Sequence, residues 1–271
     1  MMFGALYGDV IGSYYEVHST KDHDFLFMRE STFTDDSVMT AAVCRTIIDE
    51  PAEITRSGLK ERAKQYAVNY KQFYSYYPHA GYGKMFSDWA SERGTVRRQN
   101  SFGNGGAMRA CPIGYAYNDM EQVLLQAKAS CLYTHSHPEG IKGAQAVAAA
   151  VRLALDGAGK SDIRSFIAGK FGYDLSNTVN DLRPFVRFDS SAQGSVPLAL
   201  IAFLDSEDYE SAVRNAVSLG GDADTLACIA GGIAEAFYGE IPPHIKKFCD
   251  IRLDSTIRLT VNEFEKNFKK I

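Results

Sequence analysis

Two short segments of this chain carry the same kind of chemistry. Phe33-Thr34-Asp35-Asp36-Ser37 stands directly before an apolar run, and Gly220-Gly221-Asp222-Ala223-Asp224-Thr225 stands before another. Each reads first as a helix start, because Thr and Asp at an N-cap accept backbone N–H bonds and offset the helix dipole. Two neighbouring acids exceed what one cap needs, however, and they repel unless a cation or a proton separates them. If the segments converge, they offer four carboxylates and two hydroxyls, with no Cys or His. That donor set suits Mg²⁺, Mn²⁺ or Ca²⁺, not zinc or copper. The pairing favours a metal site over two unrelated caps.

Three further segments are candidates. Asn100-Ser101-Phe102-Gly103-Asn104-Gly105-Gly106-Ala107-Met108-Arg109 alternates glycine with Ser and Asn ahead of a helix. Such a turn either exposes N–H groups to an anion or is a simple connection. It is not a P-loop, since no Gly-Lys-Ser/Thr follows, and no strand precedes it as a dinucleotide fingerprint requires. Gly4-Ala-Leu-Tyr-Gly8-Asp9-Val-Ile-Gly12-Ser-Tyr-Tyr-Glu16 repeats glycine every four residues on one helical face. Glycine costs a helix about 1 kcal/mol relative to Ala, so that face is expected to admit another backbone closely. Glu16 follows it, as a surface acid or part of a site. Thr134-His135-Ser136-His137-Pro138 offers two histidines before a proline. It reads as a helix-terminating turn, a metal pair or a phosphate contact.

The elements holding these segments are helical. Val38, Ala41, Ala42, Arg45 and Ile48 follow the i, i+3, i+4 rhythm, as do Ile257, Val261, Phe264 and Phe268. Asp119 and Gln122 resemble a capping box opening a helix over 121–132, and Ser206 similarly opens one over 207–219. Residues 137–156 and 223–238 are Ala/Gly-rich and apolar on most faces, the pattern of central helices. Phe185–Phe188 is the nearest approach to a strand. Loops are expected at 17–33, 72–80, 94–106 and 170–195. The aromatic segment 66–82 reads as a rim or as ordinary packing. With no linker and no internal repeat, residues 1–271 are expected to form a single all-α domain of roughly a dozen helices.

Composition narrows the function classes. The 33 Asp+Glu against 29 Lys+Arg give a net charge of −4, so nucleic-acid binding through bulk positive charge is not expected. No apolar run reaches the roughly 18 residues of a membrane span, and the N-terminal stretch lacks a basic n-region, so neither membrane span nor signal peptide is expected. Five cysteines without a CxxC pair suggest thiols in a reducing compartment, the cytoplasm by default.

The ordered motifs resemble the ADP-ribosylglycohydrolase family, which includes the dinitrogenase-reductase-activating glycohydrolases. They are Gly8-Asp9-x-x-Gly12-Ser-x-x-Glu16, Thr34-Asp35-Asp36, Ser101 to Arg109, Thr134-His135-Ser136 and Gly221-Asp222-Ala-Asp224-Thr225. The resemblance implies an orthogonal helical bundle with two Mg²⁺ (Mn²⁺ in some members). It implies metal ligation by Thr34, Asp35, Asp36, Asp222, Asp224 and Thr225. Catalysis would fall to Glu16, Asp35 and Asp36. Substrate binding would fall to Ser101, Phe102, Gly103, Asn104, Gly105, Gly106, Met108 and His135, with Phe102 stacked on adenine. The implied reaction is hydrolysis of the glycosidic bond between ADP-ribose and an acceptor, on a protein or a small molecule. Alternatives are a hydrolase of another ribosylated metabolite and a non-catalytic ADP-ribose-binding member. Glu16 resembles the flap glutamate of the branch acting on O-linked ADP-ribose, and the roles of metal contact and general base both remain open for it.

Overall fold

The computed structural model describes residues 2–92 and 97–268, which leaves positions 94–96 of the expected 94–106 loop outside the described residues. Among the described residues there are fifteen helical segments and no strand. The all-α expectation is borne out. Two isolated antiparallel bridges, Asn100 with His135 and Gly103 with Ser191, are the sheet-like pairings present.

At the centre, α1 (Gly4–Val17) lies along α13 (Ala223–Tyr238), and α8 (Pro138–Leu155), α11 (Ala192–Leu204) and α12 (Tyr209–Leu219) surround α13. Fourteen consecutive residues of α13, Ala223 to Ala236, are buried. That explains the all-round apolar pattern, since such a helix has no face left for water. The glycine repeat of α1 is a backbone contact. A Cβ on Gly4 would stand 2.5 Å from the Gly231 carbonyl oxygen, and one on Gly12 2.6 Å from the Asp224 Cα. At Gly8 it would stand 2.5 Å from the Ala227 carbonyl carbon. Side chains cannot interpose, so the two helices run at backbone distance.

The remaining helices frame this pair. α2 (Asp35–Asp49) packs on α3 (Leu59–Tyr76), α6 (Cys111–Ala116) and α15 (Ser255–Phe268). α3 in turn meets α4 (Lys84–Ser91) and α7 (Met120–Cys131). α9 (Lys160–Phe171), α10 (Val179–Leu182) and α14 (Pro243–Asp250) close the outside, and α5 (Gly105–Met108) sits between α8 and α13. No helix is long and apolar enough to cross a membrane among the described residues. All five cysteines are buried and free.

Several local expectations need correction. The loop expected from residue 72 starts later, because Tyr66, Tyr70 and Phe73 form one buried stripe that carries α3 to Tyr76. Packing is thus the main role of the aromatic segment. At Asp119 only half of the capping box forms. Its carboxylate accepts from the Gln122 N–H, while the Gln122 amide pairs with the backbone of Ile54. Ser206 does not open α12. Its hydroxyl donates to the Phe203 carbonyl, and Asp208 makes the cap with Ser211. Within 170–195, Thr178 and Asp181 close a capping box that makes α10. Phe185–Phe188 is no strand, since the N–H groups of Phe185 and Val186 both turn back to the Leu182 carbonyl.

Glycine substitutions separate contact from helix propensity. Gly8→Ala is expected to cost about 3 kcal/mol or more, since neither backbone can yield to the new methyl group. Gly169→Ala, in α9 with nothing within 4 Å, is expected to gain about 0.5 kcal/mol. Urea unfolding of both variants checks the contrast, and equal stabilities would refute the backbone contact.

Candidate active site

Four elements converge on one cavity of about 330 Å³. Its floor is acidic. Glu16 comes from the end of α1, Thr34, Asp35 and Asp36 from the start of α2, and Asp222, Asp224 and Thr225 from the start of α13. The two oxygen-rich segments therefore do meet. The hydroxyl of Thr225 donates to Asp36 Oδ2 over 3.3 Å, joining segments 189 residues apart in sequence. Carboxylate oxygens of Glu16, Asp222 and Asp224 lie within 4.8 Å of one another.

Each half is held by local chemistry. Thr34 caps α2, its Oγ1 accepting from the Asp36 N–H, so the capping reading also holds. Asp35 donates its own N–H to the Ala80 carbonyl over 2.7 Å. On the other side, Gly220 and Gly221 take φ of +70° and +77°, a conformation that side-chain-bearing residues rarely adopt. The turn delivers Asp222 to the N-cap position, yet its side chain makes no capping bond. Asp222 Oδ2 instead accepts from Asn104 Nδ2 at 2.8 Å, and the same amide donates to Ser195.

Asp9, outside the set expected from sequence, organises the floor from beneath. It is fully buried and takes four hydrogen bonds, from the N–H and hydroxyl of both Thr34 and Ser37. The sequence signal was present, an acid between Gly8 and Gly12 in an apolar helix. What was missing was a partner to explain it.

The electrostatics are strongly unbalanced. Burial, then the charges of Asp9 and Asp222, push Asp35 up to about 8. Burial, then neighbouring carboxylates, hold Asp36 and Asp224 well above the usual range. Partial burial and Asp222 raise Glu16 at the rim. Asp36 Oδ1 is buried without a hydrogen-bond partner. Unpaired buried carboxylate oxygens are costly. These donors fit hard divalent cations, which would separate the repelling charges and take up the orphaned oxygen.

The wall is formed by the glycine-rich segment. Asn104 donates its N–H to the Ser190 carbonyl and the Ala192 N–H donates to the Phe102 carbonyl, a single bridge centred on Gly103 and Ser191. Ser101, Gly103, Asn104, Gly105 and Met108 line the cavity, as does His135. Phe102 and Gly106 are not brought there. Phe102 is 53% exposed with its ring edge-on to His137, and Gly106 faces Cys131 and Gly140. The aromatics that line the cavity are Phe86, which is buried, and Phe188, which is exposed. His137 does not pair with His135, since its Nδ1 accepts from the Glu139 N–H as the cap of α8. Lining residues outside the expected set are Met39, Gly81, Gly83, Lys84, Met85, Phe86, Arg109, Phe188 and Ser190. Met39 comes one turn into α2 and Arg109 ends the glycine-rich segment, whereas the others reach the cavity only through α4, the turn before it and the 183–190 turn.

An all-α bundle thus sets an oxygen-donor cluster, suited to hard divalent cations, beside a glycine-rich wall. The family model for ADP-ribosylglycohydrolase matches residues 1–267, and the chain belongs to that family. It is thus a hydrolase of ADP-ribose linkages, with the metal dependence general to the family. ADP-ribosylhydrolase ARH3 of Gallus gallus is 29% identical, over 91% of this chain and 87% of its own length. The Homo sapiens ARH3 is 26% identical over the same shares. ADP-ribosylarginine hydrolase Tri1 of Pseudomonas putida is 27% identical over 51% of this chain and 38% of its own. A solved structure described as an ADP-ribosylglycohydrolase-related protein complex superposes with a TM-score of 0.69 at 23% identity, covering 97% of this chain and 95% of that one. That likeness supports the fold.

Without metal, the raised acids make stability fall as pH rises. Asp35 keeps its proton to about pH 8 when folded, whereas an unfolded Asp loses it near pH ~4. Between those values the folded state binds more protons, so unfolding becomes easier with rising pH. The melting temperature of EDTA-treated protein is expected to drop between about pH 6 and pH 8. Added Mn²⁺ is expected to raise it most at the higher pH. A flat profile unaffected by metal would contradict this.

Proposed function

We propose that the chain removes ADP-ribosyl groups by hydrolysing the bond at the anomeric carbon, with two divalent cations, Mg²⁺ or Mn²⁺, held between α1, α2 and α13. The observation that carries the two-cation reading is the buried acidic floor with its orphaned Asp36 oxygen. A diphosphate-bearing substrate is repelled by a floor of carboxylates unless cations intervene. The cavity volume falls at the lower end of ligand-site sizes, about 300–1,000 Å³.

Thr34, Asp35, Asp36, Asp222, Asp224 and Thr225 would hold the cations, with Glu16 reaching in from the rim. When bound, such cations orient hydroxyls and lower the pKa of a coordinated water. The protein's own side chains do the rest. Asn104 and Ser195 fix the Asp222 carboxylate, and Asp9 fixes Thr34. The glycine-rich wall and His135 position the ADP-ribosyl group, so that binding energy far from the reacting carbon is spent on orientation. The transition state of such a cleavage has oxocarbenium character, which anionic oxygens near the ribose stabilise. The closeness of Glu16 to Asp222 and Asp224 favours a metal contact over an independent base. The buried free thiols are in keeping with a cytoplasmic location.

Asp36→Asn and Asp224→Asn are expected to lower turnover by about 10²–10³-fold or more, and EDTA to abolish it. Glu16→Gln is expected to weaken Mn²⁺ binding by at least about 10-fold. Lost turnover at unchanged metal affinity would assign Glu16 to proton transfer instead. Serine-, arginine- and O-acetyl-linked ADP-ribose, assayed in parallel, identify the acceptor. Binding of ADP-ribose without cleavage of any conjugate would refute the hydrolytic reading.

A further inference from the structure

We propose that Arg109 and Thr134 form a positioning relay that fixes His135 as its neutral Nε2–H tautomer, a donor aimed at an anionic oxygen of the ADP-ribosyl group. The donor role rests on the function proposed above, whereas the relay rests on the structure alone.

The relay starts from a buried cation. Arg109 is fully buried, with its guanidinium 3.9 Å from the Tyr70 ring centroid. Its Nη2 donates to the Ser130 carbonyl at 3.2 Å and to Thr134 Oγ1 at 2.6 Å. Guanidinium has five donors and no acceptor and stays protonated in proteins. Thr134 Oγ1 is therefore obliged to accept. The Thr134 hydroxyl is itself fully buried, and its proton needs an acceptor. His135 Nδ1, at 2.9 Å, is the one the structure offers.

A proton on Nδ1 would face that hydroxyl and leave the hydroxyl's own proton unmatched. The neutral ring thus carries its proton on Nε2. Burial, then the nearby Arg109 charge, hold the imidazole well below its ordinary pKa, so the doubly protonated ring is disfavoured too.

The backbone sets where that donor points. The N–H groups of Thr134 and His135 both return to the Cys131 carbonyl, at 3.1 and 2.7 Å. His135 also bridges to Asn100, the first residue of the glycine-rich segment. A Cβ on Gly105 would stand 2.8 Å from Nε2 and 2.9 Å from Cε1. The glycine therefore leaves that ring edge uncovered at the cavity wall. A donor without acceptor capacity, set among the segment expected to hold the diphosphate, suits a phosphate oxygen.

The ring nitrogens report directly on the relay. Long-range ¹H–¹⁵N NMR of the full-length ¹⁵N-labelled protein is expected to show His135 with a pyridine-type Nδ1 and a pyrrole-type Nε2 across about pH 6–8. Thr134→Val removes the hydroxyl and is expected to populate the Nδ1–H form, while Thr134→Ser restores the wild-type pattern. Titration of Mg²⁺-loaded protein with ADP-ribose is expected to show a dissociation constant about 10-fold higher in Thr134→Val and within about twofold in Thr134→Ser. If the valine variant fails to fold, the wild-type and serine spectra still decide. A wild-type ring protonated on Nδ1, or on both nitrogens, overturns the relay. A switched ring with unchanged ADP-ribose affinity overturns the donor role. An intact Nε2–H pattern with no ADP-ribose binding by the wild type overturns the proposed function and the donor role together, and leaves the relay standing.

Discussion

The backbone contact between α1 and α13 sets the geometry of everything downstream. Three glycines four residues apart remove the side chains that would separate the helices, so Gly12 lies against Asp224. One turn further on, Glu16 is carried over Asp222 and Asp224, and one turn back Asp9 is placed beneath Thr34 and Ser37. A helix held at ordinary side-chain distance would lift both acids away from the floor. The glycines thus have no direct part in the chemistry, but the acidic cluster exists in this form because of them.

That cluster is frustrated by design. Asp35, Asp36 and Asp224 are each pushed above the ordinary carboxylate range, first by burial and then by neighbouring carboxylates, and burial raises Asp9 against the pull of its hydrogen bonds. No fold gains stability from such an arrangement by itself. It makes physical sense when cations belong among the carboxylates. The net charge of −4 then has a location, because two divalent cations would cancel it within a single cavity. Arg109 adds a buried positive charge to the lining of the same cavity, where it meets the Ser130 carbonyl, Thr134 and the Tyr70 ring.

How much of this was legible in the sequence depends on the range of the interactions involved. The helices were readable because apolar period and cap residues are local, and the two acidic segments were readable because each is a compact motif. The meeting of those segments could be expected from their likeness alone, without any statement of distance. Phe102 shows the limit. Its place in the motif suggests stacking on adenine, yet the ring stands half exposed against His137, outside the cavity lining. Asp9 and Phe188 were missed for complementary reasons. The first stood in a motif read as packing, and the second reaches the mouth through a turn whose neighbours are far away in sequence.

The central proposal is a pair of cations enclosed by two halves of one site, and low-temperature electron paramagnetic resonance of Mn²⁺-titrated protein tests it most directly. Two Mn²⁺ per chain with an exchange-coupled spectrum is the predicted result, since carboxylates shared between α2 and α13 would hold the ions close together. A single uncoupled ion at saturation, or two magnetically isolated ones, would contradict it.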